Sequence, residues 1–565
     1  MDKVLFLFLR RMRAPLLALI AAYAISVTGL VLIPGIDDQG EPWRMDFFHA
    51  FYFVSYMATT IGFGEIPHAF SEAQRMWTSL TIFLSVIAWL YAIGKILSLL
   101  QDPTFKLAVS QQAFDRSIRR LRAPFLIVCG YGDTGSLLVR ALLQRRKRVV
   151  VIERSQERIN DLALSVMDFH VPGLCADASS SSRLQTAGVS SPFCEGVVAL
   201  TDSDGVNLKI AITVKLLNPG LPVICRAESS DAERNMRSFG TDQVINPFEV
   251  FGDRLALAVH SPAHHLLHQW LSSVPGNELP MPVYPPHGRW ILCGYGRFGK
   301  AANAGLAREG VTVTIVEADP EGTGCGDNCV HGRGTEADTL QQAGVGSAAG
   351  IVAGTNDDSN NLSILMTARE LNPKLFMVGR QNRDDNGILF EAGKVDMVVR
   401  HSEILAESVL SQLTTPLLPR FLDLAREWDG DWANELLSRI GAVTDERVPA
   451  VWAIELSESR ATALVDRLNR EAVSLGQLLT FPGQPDRRVP CIPLLLHRSS
   501  GAETVLTPAD DTVLQNGDRV LFAGQACAVS RLGRVLRHPP TLDLLLTGVE
   551  RPQGWLWRHL RRGTA

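Results

Sequence analysis

The stretch FLIVCGYGDTG (125–135) decides the reading of this chain, because it returns as RWILCGYGRFG (289–299). In both, an apolar run of strand character enters a G-x-G-x-x-G turn and a helix-forming segment follows. The next apolar runs, RVVVIER (148–154) and VTVTIVEAD (311–319), carry Glu153 and Glu317 at their ends. Gly130 and Glu153 lie 23 residues apart, as do Gly294 and Glu317. Farther on, LQTAGV (184–189) matches LQQAGV (340–345). NL at 207–208 matches NL at 361–362, LNP at 217–219 matches LNP at 371–373, and Arg226 matches Arg380, these three at a constant offset of 154. Agreement over more than 100 residues means a duplicated domain.

Each copy reads β-α-β-α-β with glycines in its first turn, the Rossmann pattern. The glycines let the backbone approach a pyrophosphate, and the helix N-terminus supplies amide hydrogens and the positive end of a dipole. An acid at the end of the second strand suits a ribose diol and disfavours a 2′-phosphate. The expected ligand is an adenine nucleotide such as NAD or ADP. In the first copy the candidate residues are Gly130, Tyr131, Gly132, Asp133, Thr134, Gly135, Glu153, Arg154 and Asp177. In the second they are Gly294, Tyr295, Gly296, Arg297, Phe298, Gly299, Glu317, Asp319 and Arg333. The copies differ where the helix begins. Asp133 opposes phosphate charge there, whereas Arg297 offers a guanidinium. The second copy is therefore expected to tolerate more phosphate charge than the first.

The N-terminal hundred residues have another character. APLLALIAAYAISVTGLVLI (14–33) carries no charge, and a second apolar run extends from Trp77 to Tyr91 and on to Leu100. Each is long enough to cross a hydrocarbon core of about 30 Å as a helix. Lys3, Arg10, Arg11 and Arg13 precede the first run. Lys106, Arg116, Arg119, Arg120 and Arg122 follow the second, while the 35–76 loop holds only Arg44 and Arg75 as cations. The positive-inside rule then places both termini in the cytoplasm. A cell (inner) membrane protein with two spans is expected. Between them MDFFHAFYFVSYMA (45–58) is apolar but too short to cross, and reads as a half-helix that enters the bilayer and returns. TTIGFGE (59–65) follows it. Glycines at 62 and 64 allow successive carbonyls to point one way, and a ring of such carbonyls with the Thr60 hydroxyl can replace the water around a cation.

TTIGFGE between two spans resembles the selectivity filter of potassium channels, with Thr59, Thr60, Ile61, Gly62, Phe63 and Gly64 as filter residues for K⁺. Phe63 and Glu65 stand where relatives have tyrosine and aspartate. Tyr52 and Phe53 replace tryptophans that brace the filter from behind, so that bracing is expected to be partly missing. Joined to such a pore, the two copies resemble RCK domains, and PADDTVLQNGDRVLFAG (508–524) resembles the TrkA-C module. The chain is thereby identified as a member of the prokaryotic two-transmembrane potassium channels with tandem RCK domains.

This resemblance implies a membrane α-helical two-span pore plus two cytoplasmic α/β Rossmann-like RCK domains and a small C-terminal α+β TrkA-C lobe. The boundaries read as pore 1–103, linker 104–124, first RCK domain 125–288 with a crossover helix at 247–270 that pairs RCK domains, second RCK domain 289–420, lobe 421–530 and tail 531–565. It implies a homotetramer with an eight-RCK gating ring, and conduction of potassium controlled by cytoplasmic ligands. Gly94 and Leu97 are the gate candidates. In relatives an acid at the place of Asp177 accepts a hydrogen bond from the adenine amino group. Asp204 and Glu228 match two calcium-binding positions of relatives, so Ca²⁺ is a further candidate ligand, although Arg226 stands at a third.

Other chemistry is set aside. A net charge of -4 excludes the basic signature of a nucleic-acid binder. Nine scattered cysteines do not make a disulfide framework. No His or Lys stands in a comparable place in both copies, so catalysis by an NAD-dependent oxidoreductase is not expected, and a regulatory potassium-transport component is the alternative. His260, His264 and His268 would share one face of a continuous helix, and Cys325, Cys329 and His331 form an incomplete ligand set.

Overall fold

The computed structural model describes residues 3–165, 170–326, 329–499 and 503–549. The chain divides into two compact units, Met1–Arg122 and Ala123–Ala565.

The first unit is a helical hairpin around a half-helix. Lys3–Leu32 and Glu72–Gln101 pack on each other, and their segments Phe8–Leu32 and Glu72–Gln101 are long and apolar enough to cross a membrane, with mean hydropathies of 2.2 and 2.0. Gly29 allows their close approach, because a Cβ there would meet the Trp77 indole at 2.0 Å. The Trp77 indole N–H donates to the Ser26 carbonyl at 3.2 Å. Phe47–Ala58 is the half-helix. Asp46 caps it by accepting from the His49 N–H, and Ala50, Phe53, Val54 and Tyr56 bury one face against Leu30, Met45 and Phe70. Ser71 and Gln74 form a reciprocal capping box that starts the second long helix. Asp102 ends that helix and caps the next, accepting from the Thr104 N–H at 2.8 Å and pairing with Arg11. The residues read as a linker form a helix, Pro103–Arg120, that belongs to this unit.

In the second unit each copy builds a six-stranded parallel sheet. The first lays Gly173–Cys175, Arg148–Glu153, Phe125–Cys129, Cys194–Ala199, Val223–Arg226 and Gln243–Ile245 side by side in that order. The second repeats it with Cys329–His331, Val313–Glu317, Trp290–Cys293, Gly350–Ala353, Phe376–Gln381 and Met397–Arg400. The strand order reverses beside Phe125–Cys129 and Trp290–Cys293, so each glycine turn stands at the switch point where Rossmann sheets bind ligands. The shared NL pairs have a structural cause. Asn207 and Asn361 are fully buried. Asn207 accepts from the Thr201 N–H and donates to the Thr201 and Arg226 carbonyls; Asn361 does the same with Thr355 and Arg380.

The copies exchange helices. Pro247–His260, which leaves the first sheet, packs on Arg297–Arg308 of the second. His401–Thr414, which leaves the second sheet, packs on Asp133–Gln144 of the first. Each core therefore contains the other's residues: Leu405, Val409 and Leu410 sit among the first copy's apolar side chains, and Phe248, Phe251 and Leu255 among the second's. Where Pro247–His260 crosses Arg297–Arg308, Gly252 and Gly305 bring the backbones together, since a Cβ on Gly305 would lie 2.3 Å from the Gly252 carbonyl oxygen. The first helix stops at His260 and another, Pro262–Ser272, begins, so His260, His264 and His268 do not share one continuous helix as the metal stripe required. Ser261 and the Ala425 carbonyl occupy both nitrogens of His264, and Glu309 pairs with His260.

Between the exchanged helices Arg254 meets Glu407 at 3.0 Å, with side-chain exposures of 14% and 24%. Burial lifts the Glu407 carboxyl above its ordinary range despite the guanidinium. A raised acid favours the protonated folded state, so its contribution to stability falls as pH rises through the range above the unfolded value of about 4.3. Arg254→Ala should cost about 3 kcal/mol by stranding a buried charge. The loss should be larger at about pH 8 than at about pH 5, and Glu407→Gln in the same background should recover most of it. Thermal unfolding at the two pH values checks this, and an equal loss at both would contradict it.

The lobe begins earlier and ends later than its boundaries of 421 and 530. Leu417, Leu418 and Phe421 of Leu417–Ala425 join Leu267 and Leu271 against Ile492, Leu494 and Leu521. Its antiparallel sheet orders Ala450–Glu455, Arg519–Gly524, Cys491–His497 and Thr504–Leu506. The start of the expected tail is no tail: Ala526–Arg537 and Pro539–Thr547 are helices that bury Leu532, Val535, Leu536 and Leu542 in the lobe. Residues 550–565 lie outside the described ones.

Candidate functional site

Two kinds of candidate site emerge, a loop in the first unit and a pair of glycine turns in the second. The half-helix ends at Ala58, where Thr59 caps it through its N–H and hydroxyl on the Ser55 carbonyl at 3.2 and 2.9 Å. Thr60, Gly62 and Gly64 then take φ of 61°, 69° and 98°. Left-handed residues spaced by two alternate with Ile61 and Phe63, a conformation that glycine permits at 62 and 64. Ile61 and Phe63 are exposed in a single chain.

Bracing of this loop, expected to be partly missing, comes in part from Tyr56, a residue that the sequence pattern did not single out. The Tyr56 hydroxyl donates to the Gly64 carbonyl, and its ring meets Phe63 edge-on at 5.4 Å and Phe53 at 5.2 Å. Tyr56 stands one helical turn after Tyr52, and that position was the available signal. Glu65 anchors the outer end: its carboxylate accepts from Arg75 at 2.8 and 3.0 Å and from the Phe70 N–H at 2.8 Å. Gly94 and Leu97 lie on the second long helix, with Leu97 54% exposed in the single chain.

In the first glycine turn Gly130 has φ +100°, and a Cβ on Gly135 would lie 2.1 Å from the Gly130 carbonyl oxygen. In the second, Gly294 has φ +95° and the corresponding distance at Gly299 is 2.0 Å. Gly132 and Gly296 are the N-caps of Asp133–Gln144 and Arg297–Arg308, with no side chain bonded to the helix ends. Both turns thus leave amide hydrogens for an anion. Glu153 and Glu317 hold their turns in shape. Glu153 accepts from the Tyr131 N–H at 2.7 Å and the Ser155 N–H at 2.8 Å. Glu317 accepts from the Tyr295 N–H and from those of Ala318 and Asp319 at 2.9 and 3.0 Å. A carboxylate has about four acceptor positions, so Glu153 keeps about two of them free and Glu317 about one.

The other candidates separate by burial. The side chains of Tyr131, Thr134 and Phe298 are buried, Phe298 stacked on Phe251 at 4.6 Å, so these residues offer a ligand their backbone alone. Asp133, Arg154 and Arg333 are exposed. Asp319 caps the short helix Pro320–Thr323. Asp177 accepts from the Ser179 N–H at 2.8 Å, and this bond holds its carboxyl below the ordinary range, helped by Lys209 and Arg154.

Arg297 does not stand free over its turn. Its Nη2 pairs with Glu228 of the first copy at 2.7 Å, and its guanidinium lies 5.6 Å from the Phe248 ring centroid. Arg226 holds the same carboxylate, and Arg380 lies over Phe248 and Phe298 at 5.5 and 5.2 Å. Burial, reinforced by the three arginines, pushes the His401 imidazole down to about 3, so it is neutral beside them. The calcium expectation gains no support here. Glu228 is engaged by two guanidinium groups, and Asp204 accepts from the Glu228 and Ser229 N–H groups at 2.9 and 3.1 Å. Asp358 clamps Asn382 and Arg383 in the same way in the second copy. Among the described residues no three His, Cys, Asp or Glu side chains gather as a metal site, at Cys325, Cys329 and His331 or elsewhere.

An ion-channel family model matches residues 16–102, and the TrkA-N domain model matches 126–247 and 290–401, the two copies. The chain thus has one segment similar to the ion-channel family and two similar to the TrkA-N domain. Potassium channel protein 1 of Methanocaldococcus jannaschii is 27% identical over 39% of this chain and 64% of its own length. The voltage-gated potassium channel Kch of Escherichia coli is 24% identical, over 37% of this chain and 48% of its own. An uncharacterised protein of Methanothermus fervidus is 26% identical over 42% and 37%. The chain thus spans less than two thirds of the length of these relatives. The solved GsuK channel bound to NAD covers 94% of this chain and 99% of its own at 19% identity and a TM-score of 0.46.

Proposed function

We propose that this protein is a potassium-selective channel whose pore is formed by four copies and whose TrkA-N domains form a cytoplasmic ring that reads adenine nucleotides. The observation that carries the reading is the 59–64 loop, with left-handed Thr60, Gly62 and Gly64 hung between a half-helix and a membrane-length helix. One chain supplies one such strand, and a carbonyl ring that replaces a hydration shell needs several around an axis. The match to the ion-channel family and the potassium channels among the curated relatives support the same reading. The duplicated glycine turns support NAD or ADP as regulatory ligands, by backbone geometry and the ribose acids. Binding shifts a gate only through differential affinity for its open and closed states. Both termini and the TrkA-N domains then face the cytoplasm, with Gly94 and Leu97 near the inner mouth.

Reconstitution of the purified chain in planar bilayers tests this. The expected result is a current selective for K⁺ over Na⁺ that changes when NAD, ADP or ATP is added singly to the cytoplasmic face. Current without such selectivity, or none, would refute the channel reading.

A further inference from the structure

The two copies each place one arginine at the glycine turn, but from different elements. In the second copy it is Arg297, the first residue of the turn helix, and Glu228 already holds it. In the first copy Asp133 occupies that place, yet a guanidinium is present all the same. Arg158 sits in the first turn of the helix Gln156–Leu164, and its Nη1 lies 2.7 Å from where a Cβ on Gly132 would stand. Gly132 is the second glycine, the one whose bare Cα lets a backbone approach a pyrophosphate. Position 322, which matches Arg158 at the offset of the two turns, is glycine, and a Cβ on Gly296 would meet nothing within 4 Å.

We infer that Arg158 is the phosphate-holding residue of the first copy, and that this copy, not the second, discriminates ligands by their phosphate charge. The inference rests on the nucleotide reading of the glycine turns and reverses the order expected from Asp133 and Arg297. Three features converge on it. Arg158 makes no ion pair among the described residues, so its charge is available, whereas Arg297 must leave Glu228 before it can serve a ligand. Glu153 positions Arg158. Its two oxygens bond the Tyr131 N–H of the turn and the Ser155 N–H, and Ser155 caps the helix that carries Arg158. The ribose acid therefore ties the glycine turn and the arginine-bearing helix into one frame. Finally, the guanidinium lies on the open side of Gly132, where a diphosphate bonded to the amides of the turn must pass. It moves outward and closes on the phosphate oxygens with charge-assisted hydrogen bonds. Asp133 is exposed to solvent at the helix start.

The ligand class is an adenine nucleotide with a diphosphate, free or within a dinucleotide. The test is calorimetry of the full chain in detergent with ADP, NAD and adenosine as probes. Arg158→Gln should weaken the tighter ADP sites about 10- to 150-fold, the loss of one hydrogen bond to a charged group. Adenosine binding should stay as it was, and Arg158→Lys should restore part of the ADP affinity. Arg297→Gln should change ADP affinity less than Arg158→Gln does. Equal ADP affinity of Arg158→Gln and wild type, or a larger loss from Arg297→Gln, would overturn the inference while leaving the nucleotide reading in place. Absence of ADP and NAD binding by the wild type would overturn both. Because Arg158 is exposed, an unchanged unfolding temperature is expected for its variants.

Discussion

Gly64→Ala is expected to abolish potassium selectivity while the purified protein keeps its assembly. Gly64 has φ +98°, a conformation that costs an L-residue roughly 1–2 kcal/mol. A Cβ there would meet no atom within 4 Å of its own chain, so the substitution collides with nothing locally and acts through the backbone. The strain is relieved if residue 64 turns its φ negative. That rotation takes the Gly64 carbonyl away from the Tyr56 hydroxyl and leaves Phe63 without its placed neighbour. A filter discriminates between K⁺ and Na⁺ by the number and direction of its carbonyls, and in the proposed four-chain pore every chain carries the change. Bilayer recordings should show lost or unselective current. Because the half-helix core of Ala50, Phe53 and Val54 is untouched, size-exclusion elution should match wild type. Normal selectivity in Gly64→Ala would remove this loop from the ion path. Tyr56→Phe is a gentler probe of the same strut, removing one hydrogen bond worth about 1 kcal/mol.

Local signals in the sequence reached as far as the elements, and less far in saying which elements meet. The two glycine turns, their strands and the acids that close the second strands were legible because each depends on a short stretch: a glycine that must take positive φ, an acid a fixed distance away. The two long helices and the half-helix were legible from length and hydropathy. The helix exchange was implied for 247–270 by the resemblance alone, since the apolar face of Pro247–His260 fits a sequence-adjacent core as well as a distant one. Only Gly252 against Gly305 records the choice, and neither glycine reveals its partner. The same limit hid Arg158 and Glu228. An arginine five residues after Glu153 looks like a solvated helix face until the turn is built beside it. Glu228 matched a calcium position until Arg297, 69 residues away, closed on it. The lobe's last helices were missed because their apolar stripes, ending in Leu536 and Leu542, lie past the TrkA-C signature that set the boundary.

Fold and ligand binding can be separated within a single turn by comparing Gly299→Ala with Gly296→Ala. At Gly299 a Cβ would stand 2.0 Å from the Gly294 carbonyl oxygen and 3.0 Å from its carbon. That carbonyl cannot retreat freely. The Gly294 N–H bonds the Val316 carbonyl at 2.9 Å, and the next N–H, of Tyr295, is held by Glu317. Relief must come from moving the start of Arg297–Arg308, which drags Phe298 off Phe251 and disturbs the exchanged helix. The expected cost is about 1–3 kcal/mol, as for an overpacked core, with nucleotide binding at this copy lost as well. Gly296 is the opposite case. Its φ of -68° suits alanine and a Cβ there would point into open space, so stability should be unchanged. That open space is where a diphosphate approaches the amides of the turn, and a methyl group occupies it. Gly296→Ala should therefore unfold at the wild-type temperature yet give up the nucleotide sites of the second copy, halving the number of sites counted by calorimetry. If Gly296→Ala binds a full complement of ADP and NAD, the second turn holds no nucleotide. If Gly299→Ala unfolds like wild type, the close contact with Gly294 does not constrain the turn.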